Sequence, residues 1–132
     1  MRPLNLPDLS GLTILVVDDN DDSLEMLGTF LRACGAHVLQ ARNGPTALGY
    51  VEQRREIDAI VTDLSMPLMD GIELVKKVRQ WRPLPAIALT GFYERFMDTA
   101  GAAFDAFLRK PVDFDNLCGT IRSVVHRRQQ SA

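Results

Sequence analysis

Short apolar runs, each closed by polar residues, alternate along this chain with longer stretches in which apolar residues recur every three or four positions. Ile14-Leu15-Val16-Val17, Ile57-Asp58-Ala59-Ile60-Val61-Thr62, Ala86-Ile87-Ala88-Leu89 and Ala106-Phe107-Leu108 have the length and apolarity of buried strands. His37-Val38-Leu39-Gln40-Ala41 is partly alternating, as expected of a sheet edge. Between the runs lie helical patterns. Leu24, Leu27, Leu31 and Cys34 keep a period near 3.6, with Asn20 placed to cap the helix and Gly35 to stop it. Asn43 opens a second helix with Pro45 in its first turn and Ala47, Leu48 and Val51 inward. Leu74, Val75 and Val78 mark a third, broken by Pro83 and Pro85. A weakly patterned fourth is expected over about Tyr93 to Ala102, and Asp113 caps a last one carrying Phe114, Leu117, Ile121 and Val124 inward. Five successive β-α units predict an α/β fold: a five-stranded parallel sheet, doubly wound, with five helices covering both faces.

The strand ends carry the chemistry. The first run ends in Asp18 and Asp19, the third in Asp63, the fourth in Thr90, and the fifth leads through Arg109 into Lys110-Pro111. In an open parallel sheet ligands gather beyond the carboxyl ends of the strands, so these groups converge although the sequence separates them. Two carboxylates about 4 Å apart repel by roughly 4 kcal/mol at an effective dielectric near 20. Three such acids need a cation or must take up protons. A hard divalent ion such as Mg²⁺, which favours oxygen ligands and keeps positions open for water or phosphate oxygens, is the expected guest, and phosphate chemistry the leading expectation.

Composition narrows the reading. The 132 residues, 46% of them hydrophobic, suffice for one core and are too few for two ordinary domains. The 15 basic and 17 acidic side chains nearly balance, so no global field draws the chain to nucleic acid or a bilayer. Cys34 and Cys118 show no CxxC spacing and only His37 and His126 offer imidazole, so neither a disulfide framework nor a zinc site is expected; both cysteines read as small buried residues in helices. No stretch has the roughly 20 apolar residues of a membrane span, and the N-terminus lacks a signal-peptide core, which makes a cytoplasmic protein the simplest expectation. Residues 1–11, with two prolines, a serine and a glycine, read as an arm or linker.

Taken together, these residues match a family. Over about residues 12–127, with 128–132 left as a C-terminal tail, the chain resembles the receiver domain of two-component response regulators, of the chemotaxis-regulator type. Asp18-Asp19-Asn20 resembles the family's acidic pair, Asp63-Leu64-Ser65-Met66-Pro67-Leu68-Met69-Asp70-Gly71 its phosphoacceptor loop, Thr90 its switch hydroxyl, and Lys110-Pro111 its lysine followed by a cis-proline. The resemblance implies a flavodoxin-like sheet of order 2-1-3-4-5, with the ends of the first and third strands side by side. It makes Asp63 the acceptor of a phosphoryl group from the phosphohistidine of a histidine kinase or phosphotransfer protein. Mg²⁺ would be held by Asp19, Asp63 and the backbone carbonyl of Ser65, with Asp18 acting mainly through metal-bound water. Lys110 would contact the phosphoryl group, and Thr90 with Phe107 would carry the switch to the face formed by the fourth helical segment, fifth strand and last helix. The implied output is a downstream protein or an attached effector domain, with room for a phosphorylation-dependent dimer, no direct nucleic-acid binding, and no enzymatic turnover beyond the domain's own phosphorylation and dephosphorylation.

Particular residues refine this. Phe107 has no hydroxyl to solvate, so inward packing is expected even without phosphorylation. Phe92, near the site mouth, is expected to shield the acyl phosphate and slow its hydrolysis, and Phe92-Tyr93-Glu94-Arg95-Phe96-Met97 is a candidate interface. Ala103 stands where a glycine ordinarily ends the fourth helix, so an early or irregular end is expected there. Two other functions compete. An aspartate-nucleophile phosphatase of the haloacid dehalogenase type needs a second carboxylate two positions after the nucleophile, and Ser65 stands there. A constitutive protein-binding module would need none of the five site residues.

Overall fold

The structure, a computed structural model, describes residues 8–91 and 103–130. Its strands are β1 (Thr13–Val17), β2 (His37–Ala41), β3 (Ala59–Asp63), β4 (Ala86–Thr90) and β5 (Ala106–Arg109). The helices among the described residues are α1 (Asp21–Ala33), α2 (Gly44–Gln53), α3 (Gly71–Arg79) and α4 (Phe114–Gln130). All strands pair in parallel in the order β2-β1-β3-β4-β5, as the resemblance implied. The helix expected over about 93–102, with the expectations for Phe92 to Met97, lies outside the described residues.

Alternating side chains of the central strands feed two large cores and a small third one. Ile14, Val16, Ala59, Val61, Ile87 and Leu89 pack with Leu24, Leu27 and Leu31 of α1 and Leu117, Ile121 and Val124 of α4. Leu15, Val17 and Ile60 pack on the other face with Ala47 and Val51 of α2 and Leu74 and Val78 of α3. Burial on both faces explains the near-continuous apolar runs, and each buried Leu or Ile stabilises the fold by roughly 2 kcal/mol. The caps are local chemistry: the side chains of Asn20, Asn43, Asp70 and Asp113 accept from the backbone N–H groups of Ser23, Thr46, Glu73 and Asn116 at 2.8–3.1 Å.

Four details differ from expectation, the first being that α4 continues to Gln130, into the stretch 128–132 read as a tail. Strand β3 starts at Ala59 rather than Ile57, since Asp58 turns to bond Thr13: its carboxylate accepts from Thr13 N–H and its own N–H donates to the Thr13 carbonyl, both at 2.8 Å. The segment read as an arm is partly core. Leu9 is fully buried and its N–H donates to the Cys34 carbonyl at 2.8 Å, so the packed body begins before Leu12. Strands β4 and β5 each run one residue further than their apolar runs, to Thr90 and Arg109, which pair across the register.

At the edge of the sheet where the strands begin, Asp105 is a junction. Its Oδ2 accepts from Ala86 N–H at 2.8 Å and from Arg79 at 2.7 Å, and its Oδ1 accepts from Arg128 at 3.2 Å. Arg79 also donates to the carbonyls of Ala103 and Leu84. Nearby, Arg82 gathers the end of α2 and the lead into β3, donating to the carbonyls of Val51, Arg54, Arg55 and Ile57.

Candidate functional site

The opposite edge holds the acids. Beyond β1, Asp18 is 1% exposed, donates its N–H to the Ala41 carbonyl at 3.1 Å, and accepts from Asn20 N–H at 2.9 Å. Because the chain must turn there into the Asn20 cap, Asp19 emerges into solvent beside it. Asp63 closes β3, next to the Val17–Thr62 pairing, with its side chain 13% exposed. Carboxylate oxygens of Asp18, Asp19 and Asp63 lie within 4.8 Å of one another. The neighbouring-strand order is what joins acids separated by more than forty positions.

Lys110 follows β5. Its N–H donates to the Thr90 carbonyl at 2.9 Å, its bond to Pro111 is cis, and its Nζ lies 3.2 Å from Asp63 Oδ2 and 3.4 Å from Asp18 Oδ2. Burial raises the Asp63 carboxyl above its ordinary value of 3.8; the Lys110 ammonium opposes that shift and the Asp18 charge adds to it. Three acids against one ammonium still leave the site with a formal excess of negative charge. All-oxygen donors in close array with that surplus suit a hard divalent cation, so the residues present fit Mg²⁺.

Thr90 ends β4 and is buried, at 1% exposure. Phe107 is half-buried in β5, with its ring edge-on to Phe104 at 5.4 Å and packed against the small core of Leu64, Val75, Ala86 and Ala88. Ser65 is exposed and its N–H donates to Asp63 Oδ1 at 3.4 Å. A cleft of about 210 Å³ opens beside Asp18 and Lys110, lined also by Met26, Leu89 and Phe114.

Two residues of the loop after Asp63 have structural parts that the sequence reading did not assign. Asp70 caps α3, and Gly71 donates its N–H to the Leu64 carbonyl at 2.9 Å. A Cβ on Gly71 would stand 2.5 Å from the Asp63 carbonyl oxygen, so only glycine lets α3 start against the backbone of Asp63. The Asp-Gly pair before a periodic apolar stretch is the signal for this role. Leu68, at φ +72° and 82% exposed, takes the left-handed turn of the same loop.

Known proteins are similar to this chain in sequence and fold. The model of the response regulator receiver domain family matches residues 14–122. A 14.6 kDa protein from the sodA1 3′ region of Leptolyngbya boryana is 43% identical over 112 residues, covering 80% of this chain and 83% of that protein. A cyclic di-GMP phosphodiesterase of Thermotoga maritima is 32% identical over 109 residues, covering 80% of this chain and only 29% of the longer relative. Among solved structures, the response regulator TrrA of Thermotoga maritima in complex with Mg²⁺ and BeF superposes with a TM-score of 0.79 at 28% identity, covering 86% of this chain and 98% of that one. With sheet order, acid cluster and family match in agreement, the chain belongs to the response regulator receiver domain family.

Proposed function

We propose that this domain takes a phosphoryl group onto Asp63 from the phosphohistidine of a histidine kinase or phosphotransfer protein, and passes the change to a downstream protein or attached effector domain. The observation that carries the reading is the Lys110 ammonium set 3.2 Å from Asp63 and 3.4 Å from Asp18, inside a triad of acids at the ends of adjacent strands. Asp63 is the nucleophile: its carboxylate oxygen attacks phosphorus as the P–N bond to the donor imidazole breaks, and the imidazole leaves with the electron pair. Asp19, Asp63 and the Ser65 carbonyl would hold Mg²⁺, with Asp18 acting through water. Bound there, the ion supplies charge neutralisation for the transferring phosphoryl oxygens. Lys110 swings its charge from the free carboxylate to the phosphoryl oxygens as a point donor.

Thr90 and Phe107 form the switch. The Thr90 hydroxyl bonds the phosphoryl group, and Phe107, already against Phe104, packs further inward. The change is read at the face that includes β5 and α4. Turnover is confined to the domain's own acyl phosphate, with no separate substrate. The similarity to TrrA, whose complex contains Mg²⁺ and BeF, supports the metal assignment.

Intact mass after incubation with acetyl phosphate tests the reading. One phosphoryl group should be added in Mg²⁺, none in EDTA, and none in Asp63→Asn. Absence of addition, together with absence of beryllofluoride binding, would transfer the assignment to a constitutive binding module.

A further inference from the structure

Helices α1 and α4 pack in step. Phe30 stacks on Phe114 with ring centroids 4.5 Å apart, and four residues further on in each segment the Sγ of Cys34, the C-cap of α1, lies 3.2 Å from Cys118 Sγ. The two contacts share one offset, so the cysteine approach follows from the helix packing as a whole. Both thiols are fully buried in the core that contains Leu31, Leu117 and Ile121. Neither belongs to the phosphoacceptor site, and the two thiols are hydrogen-bonded to each other.

We propose that Cys34 and Cys118 are a redox pair that closes an intramolecular disulfide joining the end of α1 to the first turns of α4. The oxidant class is a small peroxide, which reaches a buried site that a bulky disulfide oxidant does not. One sulfur attacks a peroxide oxygen, the O–O bond breaks, and a sulfenic acid forms with loss of one water. The second sulfur then attacks the sulfenic sulfur and the S–O bond breaks with loss of another water. Two thiols and one hydrogen peroxide thus become one disulfide and two waters. In a reducing compartment such a bond is transient. Burial and the neighbouring thiol raise the Cys118 thiol above its ordinary value, which disfavours its thiolate. The bond would fix α4 to α1 and, through the Leu9 N–H on the Cys34 carbonyl, to the segment preceding β1.

The test treats the reduced full chain with hydrogen peroxide, removes the oxidant with catalase, unfolds and alkylates, and maps the cysteine peptides by mass. Expected are a linked Cys34–Cys118 peptide pair, a monomer on a non-reducing gel, and a rise in Tm of roughly 10 °C that dithiothreitol reverses. Cys34→Ala and Cys118→Ala should each abolish the linked pair and the shift. The linkage readout on the parent chain stands even if a variant fails to fold. Two alkylated thiols under peroxide exposure that oxidises the urea-unfolded chain would overturn the proposal, as would sulfinic acid without linkage or linkage only between chains. Phosphoryl uptake by Asp63 is measured separately and does not decide it.

Discussion

Replacing Lys110 with methionine removes the ammonium between two acids while keeping most of the side chain's bulk. At 3.2 and 3.4 Å, each contact contributes about 5 kcal/mol of gross attraction at an effective dielectric near 20. Most of this offsets the desolvation of an ammonium that is 28% exposed. The loss also has a ceiling, because Asp63 can take a proton once its partner is gone. Protonating an ordinary aspartate at pH 7 costs about 4 kcal/mol. Lys110→Met should therefore lose about 2 kcal/mol, and no more than about 4, in urea unfolding at pH 7 with EDTA. The deficit should shrink as pH falls and the Asp63 carboxyl, whose value is raised, takes up its proton. Mg²⁺ should raise the variant's Tm more than the parent's, since the variant carries one more uncompensated negative charge. In the Asp63→Asn background the same lysine change should cost less. Equal stability at pH 7 with an equal Mg²⁺ response would refute the reasoning, because the ammonium would then not be balancing the acids.

Other outcomes follow from single contacts. Gly71→Ala should destabilise by about 2 kcal/mol or more and impair phosphoryl uptake, because its Cβ meets the Asp63 carbonyl oxygen at 2.5 Å; an unchanged urea midpoint would argue against that contact. Arg82→Ala should lose about 2–3 kcal/mol with phosphoryl uptake per folded molecule unchanged, and Arg82→Lys should not fully rescue it, since one ammonium cannot span four carbonyls; full rescue in thermal melts would contradict this. The folded-state value of Asp63 is raised, so the folded chain binds more protons than the unfolded one in the window above 3.8. In metal-free buffer its contribution to stability is therefore lost as pH rises through that window; Asp63→Asn should remove this segment of the stability profile and gain stability at pH 7, and superimposable profiles would count against the burial argument.

The site was legible because its members sit at strand ends, where an apolar run stops at an acid, a hydroxyl or a lysine. Asn20, Asn43 and Asp113 announced their helices for an equally local reason, the side-chain acceptor that caps a first turn. What stayed hidden depends on distant partners. Leu9 is a lone apolar residue among turn formers, and its burial follows from a bond to Cys34 that no local pattern encodes. Cys34 and Cys118 are 84 positions apart, and their approach requires the relative offset of two helices. The start of β3 moved because Asp58 finds Thr13 across the sheet, a pairing that outweighs the strand propensity of Ile57.

Asp105 gives the molecule a mechanical asymmetry. With Arg79, Ala86 N–H and Arg128 converging on one carboxylate, the starts of β4 and β5 and the far ends of α3 and α4 are clamped at a single point. Any tilt of α4 that preserves the Arg128 contact must pivot about that clamp. The arc swept is then widest at Phe114, a few residues from Lys110 and next to the stacked ring of Phe30. The helix is a lever whose fulcrum lies remote from the acids and whose other end, held by the Phe30 stack, lies near Lys110, so a displacement of Lys110 acts on the helix at its longest arm.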